Sequence, residues 1–305
     1  MHSVAVSSVL DPEVADQVTA LLARATDADG AAPVSEQGVS AVHAAADGVA
    51  HVTAADADGD VVAYAQIQPG HEPHPPMIEA VVDPQARGRG VGTDLVREAL
   101  AVGGRQSRVW AHGNLPAARS VAAKLGLSPQ RELLQMRRQC APLPELVVPE
   151  GISLGTYQGS GEDAEIVEVN ADAFSWHPEQ GAWTLRDVEY RTAESWFDPQ
   201  GLFLARDANT AERQLLGFHW TKVHPAHGDE PALGEVYVVA VSPAAQGRGL
   251  GRVLTLAGLH YLQQRDLRTV LLYVEGDNEA ALRTYERLGF TRFHTDIAYG
   301  ASHSD

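Results

Sequence analysis

The spacing of apolar positions along the chain predicts the same series of elements twice. Apolar residues recur at helical spacing over 11–27 and 35–45 in the first half, and over 162–174 and 184–197 in the second. Apolar runs predict strands over 49–55 and 60–68, and again over 201–206 and 214–223. Each half also begins with a strand candidate. The pattern therefore predicts a duplicated fold.

The clearest repeat follows these two strands in each half. Residues 78–92 read IEAVVDPQARGRGVG, and residues 237–251 read YVVAVSPAAQGRGLG. In both segments an apolar β-rich run ends at a proline, a short turn follows, and glycines lead into an amphipathic helix. Gly90 and Gly249 hold the same position in the two copies. This shared register makes chance repetition improbable.

The remainder of each half continues the repeat more loosely. A further apolar run, 108–112 or 269–275, is followed by an asparagine that begins a second helical pattern. That helix ends at Lys124-Leu-Gly in the first half and at Arg287-Leu-Gly in the second, where glycine suits the helix C-terminus. An alternating strand closes each half, at 132–139 and 291–299.

This order of elements predicts the fold class and the domains. Strand, two helices, three strands, helix, strand, helix and strand give an α+β class, in which each domain has a largely antiparallel mixed sheet flanked by helices. Three prolines within 140–151 exclude a helix there. We therefore expect an N-terminal domain at 1–140, a proline-rich linker at 141–151 and a C-terminal domain at 152–305.

Composition excludes several classes of partner. The formal net charge of −17 disfavours nucleic acid, because a phosphate backbone is bound by clustered Lys and Arg. The chain has neither an apolar run long enough for a transmembrane helix nor the basic, apolar start of a secretory signal, so we expect a cytoplasmic protein without a membrane partner. We also expect a monomer, because a tandem repeat can form within one chain the interface that single-domain proteins make between chains.

Cysteine and histidine usage gives no sign of a metal site. Cys140 is the single cysteine, which excludes an intrachain disulfide and a multi-cysteine metal site. The 13 histidines include His71, His74, His224 and His227, but they lack the spacing of known zinc motifs and lie in proline-rich segments. We expect no metal.

The repeated turn has the chemistry of an anion site. A glycine turn before a helix presents unpaired backbone N–H groups, and the helix dipole adds about half a positive charge there. Cationic side chains flank the two turns in a protein otherwise short of them: Arg87, Arg89, Arg248 and Arg252. The motif is not a nucleoside-triphosphate loop and lacks the acidic residue of a dinucleotide fold. A pyrophosphate-bearing ligand fits best.

At these residues the chain resembles the GNAT N-acetyltransferases, in which this turn binds the pyrophosphate of acetyl-CoA. The resemblance covers both halves almost end to end, and implies that acetyl-CoA is the cofactor. In the second half it assigns cofactor binding to Val239, Ala240, Val241, Gln246, Gly247, Arg248, Gly249, Leu250, Gly251, Arg252, Asn278, Glu279, Ala280, Ala281, Leu282 and Arg283. In the first half it assigns Ala80, Val81, Val82, Gly88, Arg89, Gly90, Val91, Gly92 and Thr93.

Differences between the halves indicate where the chemistry lies. When the halves are aligned on the shared Leu-Gly, the counterpart of Tyr285 is Ala122. When they are aligned on the shared proline turn, the counterpart of Glu235 is Pro76. By this count only the second half has a carboxylate on its central strand. Amine acetylation needs a group that removes a proton from the amine and one that protonates the leaving thiolate. We assign Glu235 as the base and Tyr285 as the acid, and expect the first half to be non-catalytic while still able to hold a second acetyl-CoA.

Three segments of the second half, at 177–184, 196–202 and 217–225, suggest the acceptor. Together with residues 30–37 they are similar to tandem-domain GNAT members that acetylate the cysteinyl amine of the sugar conjugate Cys-GlcN-Ins. That resemblance implies acceptor contacts at Glu36, Glu179, Lys222, Glu235 and Tyr273. Two alternatives stay open: another amine, such as an aminoglycoside or a protein N-terminus, or a non-catalytic protein that binds acetyl-CoA. Four tryptophans near these segments, Trp176, Trp183, Trp196 and Trp220, are expected to be core residues more than pocket walls.

Overall fold

The computed structural model describes residues 2–44, 46–70, 75–175, 180–226 and 231–302. Its contacts divide the chain into two compact units. Unit 1 comprises Met1–Leu133 and His294–Asp305, and unit 2 comprises Leu134–Phe293.

The first half of the chain contains six strands and four helices within the described residues. In chain order they are β1 (Ser3–Ser7), α1 (Pro12–Asp29), α2 (Glu36–His43), β2 (Ala50–Ala55), β3 (Val61–Gln68), β4 (Met77–Val82), α3 (Val91–Gly103), β5 (Arg108–Ala111), α4 (Pro116–Lys124) and β6 (Leu127–Gln139). Each predicted helix and strand of this half is present, with ends that differ by a few residues.

The second half repeats the order. Its elements are β7 (Ile152–Thr156), α5 (Asp163–Ala173), α6 (Leu185–Thr192), β8 (Leu202–Asp207), β9 (Leu215–His224), β10 (Leu233–Val241), α7 (Leu250–Gln263), β11 (Thr269–Glu275), α8 (Glu279–Arg287) and β12 (Thr291–Ala301). Helix α6 is shorter than the predicted 184–197, so Trp196 lies beyond its end.

The sheets are mixed, as predicted. In unit 1, β1 to β4 are joined by antiparallel pairs, β4 and β5 are parallel, and β12 pairs antiparallel with β5. In unit 2, β7 to β10 form antiparallel pairs, β10 and β11 are parallel, and the end of β6 lies beside β11. The α+β class with helices flanking largely antiparallel sheets is confirmed.

The helix that follows each glycine turn covers its own sheet. In unit 1, α3 buries Val91, Leu95, Val96 and Ala99 in a cluster with residues of β2, β3 and β4. In unit 2, α7 is buried on most sides and contacts β8, β9 and β10. Full burial of a leucine-sized side chain contributes about 1.5–3 kcal/mol, so these helices hold each turn firmly on its sheet.

The boundaries between the two units do not fall in the proline-rich linker. Strand β6 enters unit 2 at Leu134, where Leu134 and Met136 are fully buried in a cluster with α7 and β11. Conversely, the last residues of β12 belong to unit 1, where Ile297 and Tyr299 pack with Ala111 and Ala122. Each unit is therefore completed by a strand from the other half of the sequence, unlike the expected domains at 1–140 and 152–305.

Among the helices in the described part of the chain, none combines the length and apolarity needed to cross a bilayer.

Candidate active site

Strand β10 and the turn after it form the centre of the site in unit 2. The parallel pairing of β10 with β11 covers only Gly234, Glu235 and Val236, although both strands continue beyond it. The pairing with β9 runs on to Val241, with an irregularity between Val236 and Val238 that leaves Tyr237 as an extra residue. The backbone of the later part of β10 is therefore open on its β11 side, which includes the predicted cofactor residues Val239–Val241.

The glycine turn has the backbone that a bound diphosphate requires. Gly247 and Gly249 both have φ of +78°, in the left-handed region that favours glycine, and Gly249 caps the start of α7. A Cβ placed on Gly247, Gly249 or Gly251 would meet nothing within 4 Å, so the space above the turn is open. The N–H groups of the first helical turn face that space without side-chain obstruction.

Two exposed arginines lie beside this turn. Arg248 and Arg252 are both exposed, and neither forms an ion pair with a residue that the structure describes. Together with the helix dipole they give a positive site in an acidic protein. These residues fit the diphosphate of a coenzyme A thioester.

Helix α8 provides the second predicted part of the cofactor site. The Asn278 side chain caps this helix by accepting a hydrogen bond from Ala281 N–H at 3.1 Å. Glu279 and Arg283 form an exposed ion pair one turn apart, and Leu282 is buried in the core of unit 2. Asn278 thus shapes the helix start.

Glu235 is a buried carboxylate with a histidine partner. Its residue is 7% exposed, and its Oε2 lies 2.6 Å from His224 Nε2. His224 is half-buried and lies at the end of β9, the strand that pairs antiparallel with β10. From the sequence, His224 is a candidate only for a metal ligand. The hairpin alternation, which puts His224 on the same sheet face as Glu235, was the signal that could have identified the pair.

Lys222 and Tyr273 lie on the Glu235 face of the sheet. Lys222 is directly opposite Glu235 in the β9–β10 ladder, and Tyr273 is two residues beyond Leu271, the β11 partner of Glu235. The Lys222 ammonium lies 5.0 Å from the centre of the Trp196 ring, and the exposed Tyr273 hydroxyl accepts a hydrogen bond from Gln135 Nε2 at 2.7 Å. The structure thus brings three predicted acceptor contacts to one face.

The aromatic residues near this face are mostly core. Trp183 and Trp220 are buried, as predicted, and pack edge-to-face with ring centres 6.2 Å apart. Trp196 is partly buried and packs edge-to-face against Tyr237, the extra residue of β10. Trp196 and Tyr237 together form an aromatic surface next to the Lys222 ammonium.

Tyr285 is positioned on α8 as a protonated phenol. Its ring packs edge-to-face against Phe290 at 5.9 Å, and it borders the same hydrophobic cluster as Val239 of β10. Burial raises the pKa of Tyr285 to about 12. The hydroxyl therefore keeps its proton at neutral pH and is a hydrogen-bond donor.

Unit 1 contains an equivalent turn beside a cavity of about 260 Å³. Seven of the predicted cofactor residues line it: Ala80, Val81, Val82, Gly88, Gly90, Gly92 and Thr93. Gly88 and Gly90 have φ of +77° and +90°, and the β4–β5 pairing ends at Glu79 while β4 continues to Val82. Arg87, however, forms a bidentate ion pair with Asp29, with both distances 2.7 Å. The turn and cavity fit a thioester of coenzyme A, whereas the Arg87 charge is already neutralised.

One comparison of the two halves was wrong. The central strand of the first half was expected to have no carboxylate, yet Glu79 on β4 is buried, with an exposed fraction of 3%. Its Oε1 lies 2.8 Å from His112 Nε2. Counted from the shared proline turn, Glu79 holds the position of Val238, and the extra residue Tyr237 makes Met77 the counterpart of Glu235 in the strand pairing. Unit 1 also has a phenol at its cavity, that of Tyr299 from β12.

Several predicted residues cannot be placed in the site. Glu179, Trp176, His71, His74 and His227 lie outside the described residues, and of Glu36 only its position as the first residue of α2 is described. Within the described ranges, His, Cys, Asp and Glu side chains form no group suited to a metal ion.

Comparisons with known proteins identify the family. The family model described as the acetyltransferase (GNAT) family matches this chain twice, over residues 19–127 and 166–290. The chain belongs to the GNAT acetyltransferase family. Both GNAT matches include a glycine turn and the strand before it, so the predicted duplication and the resemblance are confirmed.

Full-length relatives within the GNAT family carry a more specific name. A mycothiol acetyltransferase of Rhodococcus opacus is 65% identical over 95% of each chain. Proteins of the same name from Nocardia farcinica and Mycobacteroides abscessus are 59% and 54% identical, over at least 93% of each chain. The chain is therefore similar to these GNAT enzymes along almost its whole length.

Solved structures show the same fold. An N-acetyltransferase from Sphaerobacter thermophilus superposes with a TM-score of 0.71, at 20% identity and over 97% of this chain and 94% of that one. A tandem GNAT protein from the clavulanic acid biosynthesis pathway gives a TM-score of 0.70, at 19% identity and over the full length of both chains. Tandem GNAT architecture is thus shared with proteins of distant sequence.

Proposed function

We propose that this enzyme is a mycothiol synthase, which transfers the acetyl group of acetyl-CoA to the cysteinyl amine of Cys-GlcN-Ins to give mycothiol and CoA. The observation that carries the proposal is the similarity of 50–65% identity to mycothiol acetyltransferases over nearly the whole chain. The arrangement in unit 2 supports it, because a carboxylate, an ammonium and a phenol share the sheet face beside the open strand. We place the reaction in the cytoplasm and expect a monomer.

In this proposal unit 2 is the catalytic unit. Acetyl-CoA supplies an activated acetyl thioester when it is bound along Val239–Val241 with its diphosphate at the turn containing Gly247 and Gly249. Backbone N–H groups of the open part of β10 polarise the thioester carbonyl, a contribution of about 3 kcal/mol for a well-placed donor. Residues Val239–Val241 and the glycine turn would hold acetyl-CoA, and Glu235 on the same strand would act on the amine that attacks it.

Glu235 is the general base of the proposed reaction, and Tyr285 is its general acid. Glu235 takes a proton from the acceptor ammonium, directly or through one water, and His224 at 2.6 Å passes it on towards solvent. Tyr285 keeps its proton at neutral pH, because burial raises its pKa to about 12, and donates it to the departing sulfur. The amine attacks without a covalent enzyme intermediate.

Three of the acceptor contacts assigned below lie on this face, namely Lys222, Glu235 and Tyr273. We assign Glu36, Glu179, Lys222, Glu235 and Tyr273 as its contacts, and Trp196 as an apolar surface for a sugar ring. Carboxylates suit the acceptor ammonium, while Lys222 and Tyr273 suit sugar and inositol hydroxyls. Unit 1 binds a second acetyl-CoA at its own glycine turn but does not transfer its acetyl group.

Mass spectrometry of the purified protein incubated with acetyl-CoA and Cys-GlcN-Ins tests the proposal. We expect loss of the free amine and formation of a monoacetylated product together with free CoA. A panel of aminoglycosides and peptide N-termini is the comparison. Turnover of one of those amines without turnover of Cys-GlcN-Ins would replace the proposed acceptor and leave the acetyltransferase chemistry in place.

A further inference from the structure

The extra residue of β10 lies in the aromatic cluster next to Glu235. Tyr237 is the residue that the irregularity of β10 leaves extra, and its ring packs edge-to-face against Trp196 with ring centres 5.4 Å apart. The Lys222 ammonium lies 5.6 Å from the centre of the Tyr237 ring, and Lys222 is directly opposite Glu235 in the ladder. Irregularities of this kind re-aim a side chain, often beside an active site. The Tyr237 ring is thereby placed on the sheet face that carries Glu235.

This aromatic cluster has a buried layer and an outer layer. Trp183 and Trp220 are buried, whereas Trp196 and Tyr237 are only partly buried. Each of the outer two packs on Trp220, with ring centres 6.3 Å apart in both contacts. Buried rings stabilise the core, but a partly exposed pair presents ring surface to solvent. The outer pair is therefore the part of the cluster that a ligand can contact.

Arg191 of α6 holds Tyr237 in this position. Its Nε donates a hydrogen bond to the Tyr237 hydroxyl at 3.0 Å, and its guanidinium lies 4.1 Å from the centre of the Trp183 ring. Its Nη1 donates to the Asp187 carbonyl at 2.8 Å, one helical turn earlier. The Asp187 carboxylate in turn accepts from Thr184 N–H at 2.8 Å at the start of α6. Because the planar guanidinium is fixed by a ring and by the helix, it fixes the phenol that it contacts.

The charges around the outer pair indicate what the pair binds. Among the residues that the structure describes, the Lys222 ammonium contacts two aromatic rings but makes neither a hydrogen bond nor an ion pair, so its three N–H donors are available to a ligand. Arg191 and Lys222 bring two positive charges to the Tyr237 ring, which disfavours a ligand group that is itself an ammonium. A ring that carries hydroxyl groups suits this surface, because its C–H face can pack on the aromatic rings while its hydroxyls accept from Lys222.

We propose that Tyr237 is a specificity-determining residue of the acceptor site, where it binds a polyhydroxylated ring of the acceptor together with Trp196, and that Arg191 is the positioning residue that holds it. This inference rests on the proposed function and deepens it, because it assigns the ring portion of Cys-GlcN-Ins to a surface formed within unit 2. Glu235 remains the partner of the cysteinyl amine.

Two acceptors separate recognition of the ring from the chemistry at the amine. Cys-GlcN-Ins carries the ring portion, whereas L-cysteinamide keeps the cysteinyl amine and an amide but has no ring. The ratio of kcat/KM for Cys-GlcN-Ins to kcat/KM for L-cysteinamide, called here the ring ratio, measures what the ring contributes. For Tyr237→Ala in the full-length protein we expect the ring ratio to fall about tenfold or more. The kcat/KM for L-cysteinamide and the KM for acetyl-CoA should stay close to those of the wild type.

The role of Arg191 is tested through the Tyr237 hydroxyl. Tyr237→Phe keeps the ring but removes the acceptor of the Arg191 hydrogen bond, and Arg191→Met removes the donor. We expect each to lower the ring ratio about threefold, and the double variant to lower it no further, because Arg191 acts through that hydroxyl. Arg186→Met changes an exposed arginine of the same helix and should keep the wild-type ring ratio. Melting temperatures show which variants are folded, and the mild Tyr237→Phe change keeps the test open if Tyr237→Ala unfolds.

The outcomes are distinct. A folded Tyr237→Ala protein with the wild-type ring ratio would overturn the inference and leave the proposed function in place, as would an equal loss with both acceptors. Additive losses in the double variant would overturn the positioning role of Arg191. A wild-type protein that does not acetylate Cys-GlcN-Ins refutes the proposed function, and the inference with it.

Discussion

At the residue scale, the proposed catalysis in unit 2 centres on the contact between Glu235 and His224. The carboxylate is almost fully buried, and the imidazole 2.6 Å away reaches solvent. A base in this position can take a proton from a bound amine and release it without exposing the thioester to bulk water. The proposed proton transfer therefore depends on two side chains from adjacent strands of one hairpin.

Glu235→Gln tests the role of the carboxylate. We expect kcat to fall about 100-fold, within the range for removal of a general base, with little change in acetyl-CoA affinity because the glycine turn is untouched. Steady-state kinetics with both substrates measures this. Glu212→Gln, which changes an exposed carboxylate of the same unit, should behave as the wild type. A near-normal kcat in the Glu235 variant would assign proton removal to another group.

The contacts of His112 in unit 1 predict how stability changes with pH. Burial opposes charge on His112, but its hydrogen bonds to Asp296 and Glu79 outweigh this and raise the pKa of His112 to about 9. The folded pKa of His112, about 9, lies above the usual histidine value of 6.5, so its contribution to stability is fully present below about pH 6.5 and is lost as pH rises through 9. We expect the melting temperature of the wild type to fall between pH 7 and pH 10. His112→Gln should melt lower at pH 7 and lose less over that range. Equal pH dependence of the two proteins would mean that His112 is not charged in the folded state.

At the element scale, α7 packs closely on β9 because Gly258 has no side chain at the contact. A Cβ at Gly258 would lie 2.1 Å from Cε1 of His219, whose ring is fully buried and donates through Nδ1 to Leu254 carbonyl at 2.7 Å. Burial lowers the pKa of His219 to about 4, so the ring is neutral and cannot be moved into water without loss. This contact determines how closely α7, and therefore the glycine turn at its start, packs against the sheet.

Gly258→Ala should therefore destabilise unit 2. Overpacking of a core contact costs about 1–3 kcal/mol, which we expect to appear as a lower melting temperature. Gly251→Ala is the matched change in the same helix, since a Cβ there meets nothing within 4 Å, and should be neutral or slightly stabilising. Equal melting temperatures for the two variants would contradict the packing described for Gly258.

Most elements could be predicted from sequence, because their signals are local. The glycine turns, Asn278 as a cap and the strand over 269–275 all depend on residues within a few positions of each other. The extra residue Tyr237 could not be predicted, since an irregular strand has the same apolar composition as a regular one. That single residue moves the first-half counterpart of Glu235 from Pro76 to Met77.

At the scale of the whole molecule, each unit is completed by a strand from the other half of the sequence. The residues that decide this are Leu134 and Met136, buried in unit 2, and Ile297 and Tyr299, buried in unit 1. Alternation in β6 and β12 shows that each is a strand but does not specify its partner. For the same reason Asp296 and Tyr299, near the end of the chain, could not be assigned to the unit 1 cavity from sequence.

The two glycine turns allow a matched test of the proposal that unit 2 catalyses acetyl transfer while unit 1 only binds acetyl-CoA. Gly90 and Gly249 both cap a helix with φ in the left-handed region, at +90° and +78°. Valine at either position is strained in that conformation and should disturb the diphosphate site of its own unit only. Calorimetry with CoA should show two sites in the wild type and one in each variant.

The initial rate of acetyl transfer from acetyl-CoA to Cys-GlcN-Ins, measured for Gly90→Val and Gly249→Val beside the wild type, tests the central claim most directly. We expect Gly249→Val to lose the reaction and Gly90→Val to retain kcat, because we propose that the acetyl group is transferred in unit 2. A Gly249→Val protein that is folded and still acetylates Cys-GlcN-Ins at the wild-type rate would contradict the account.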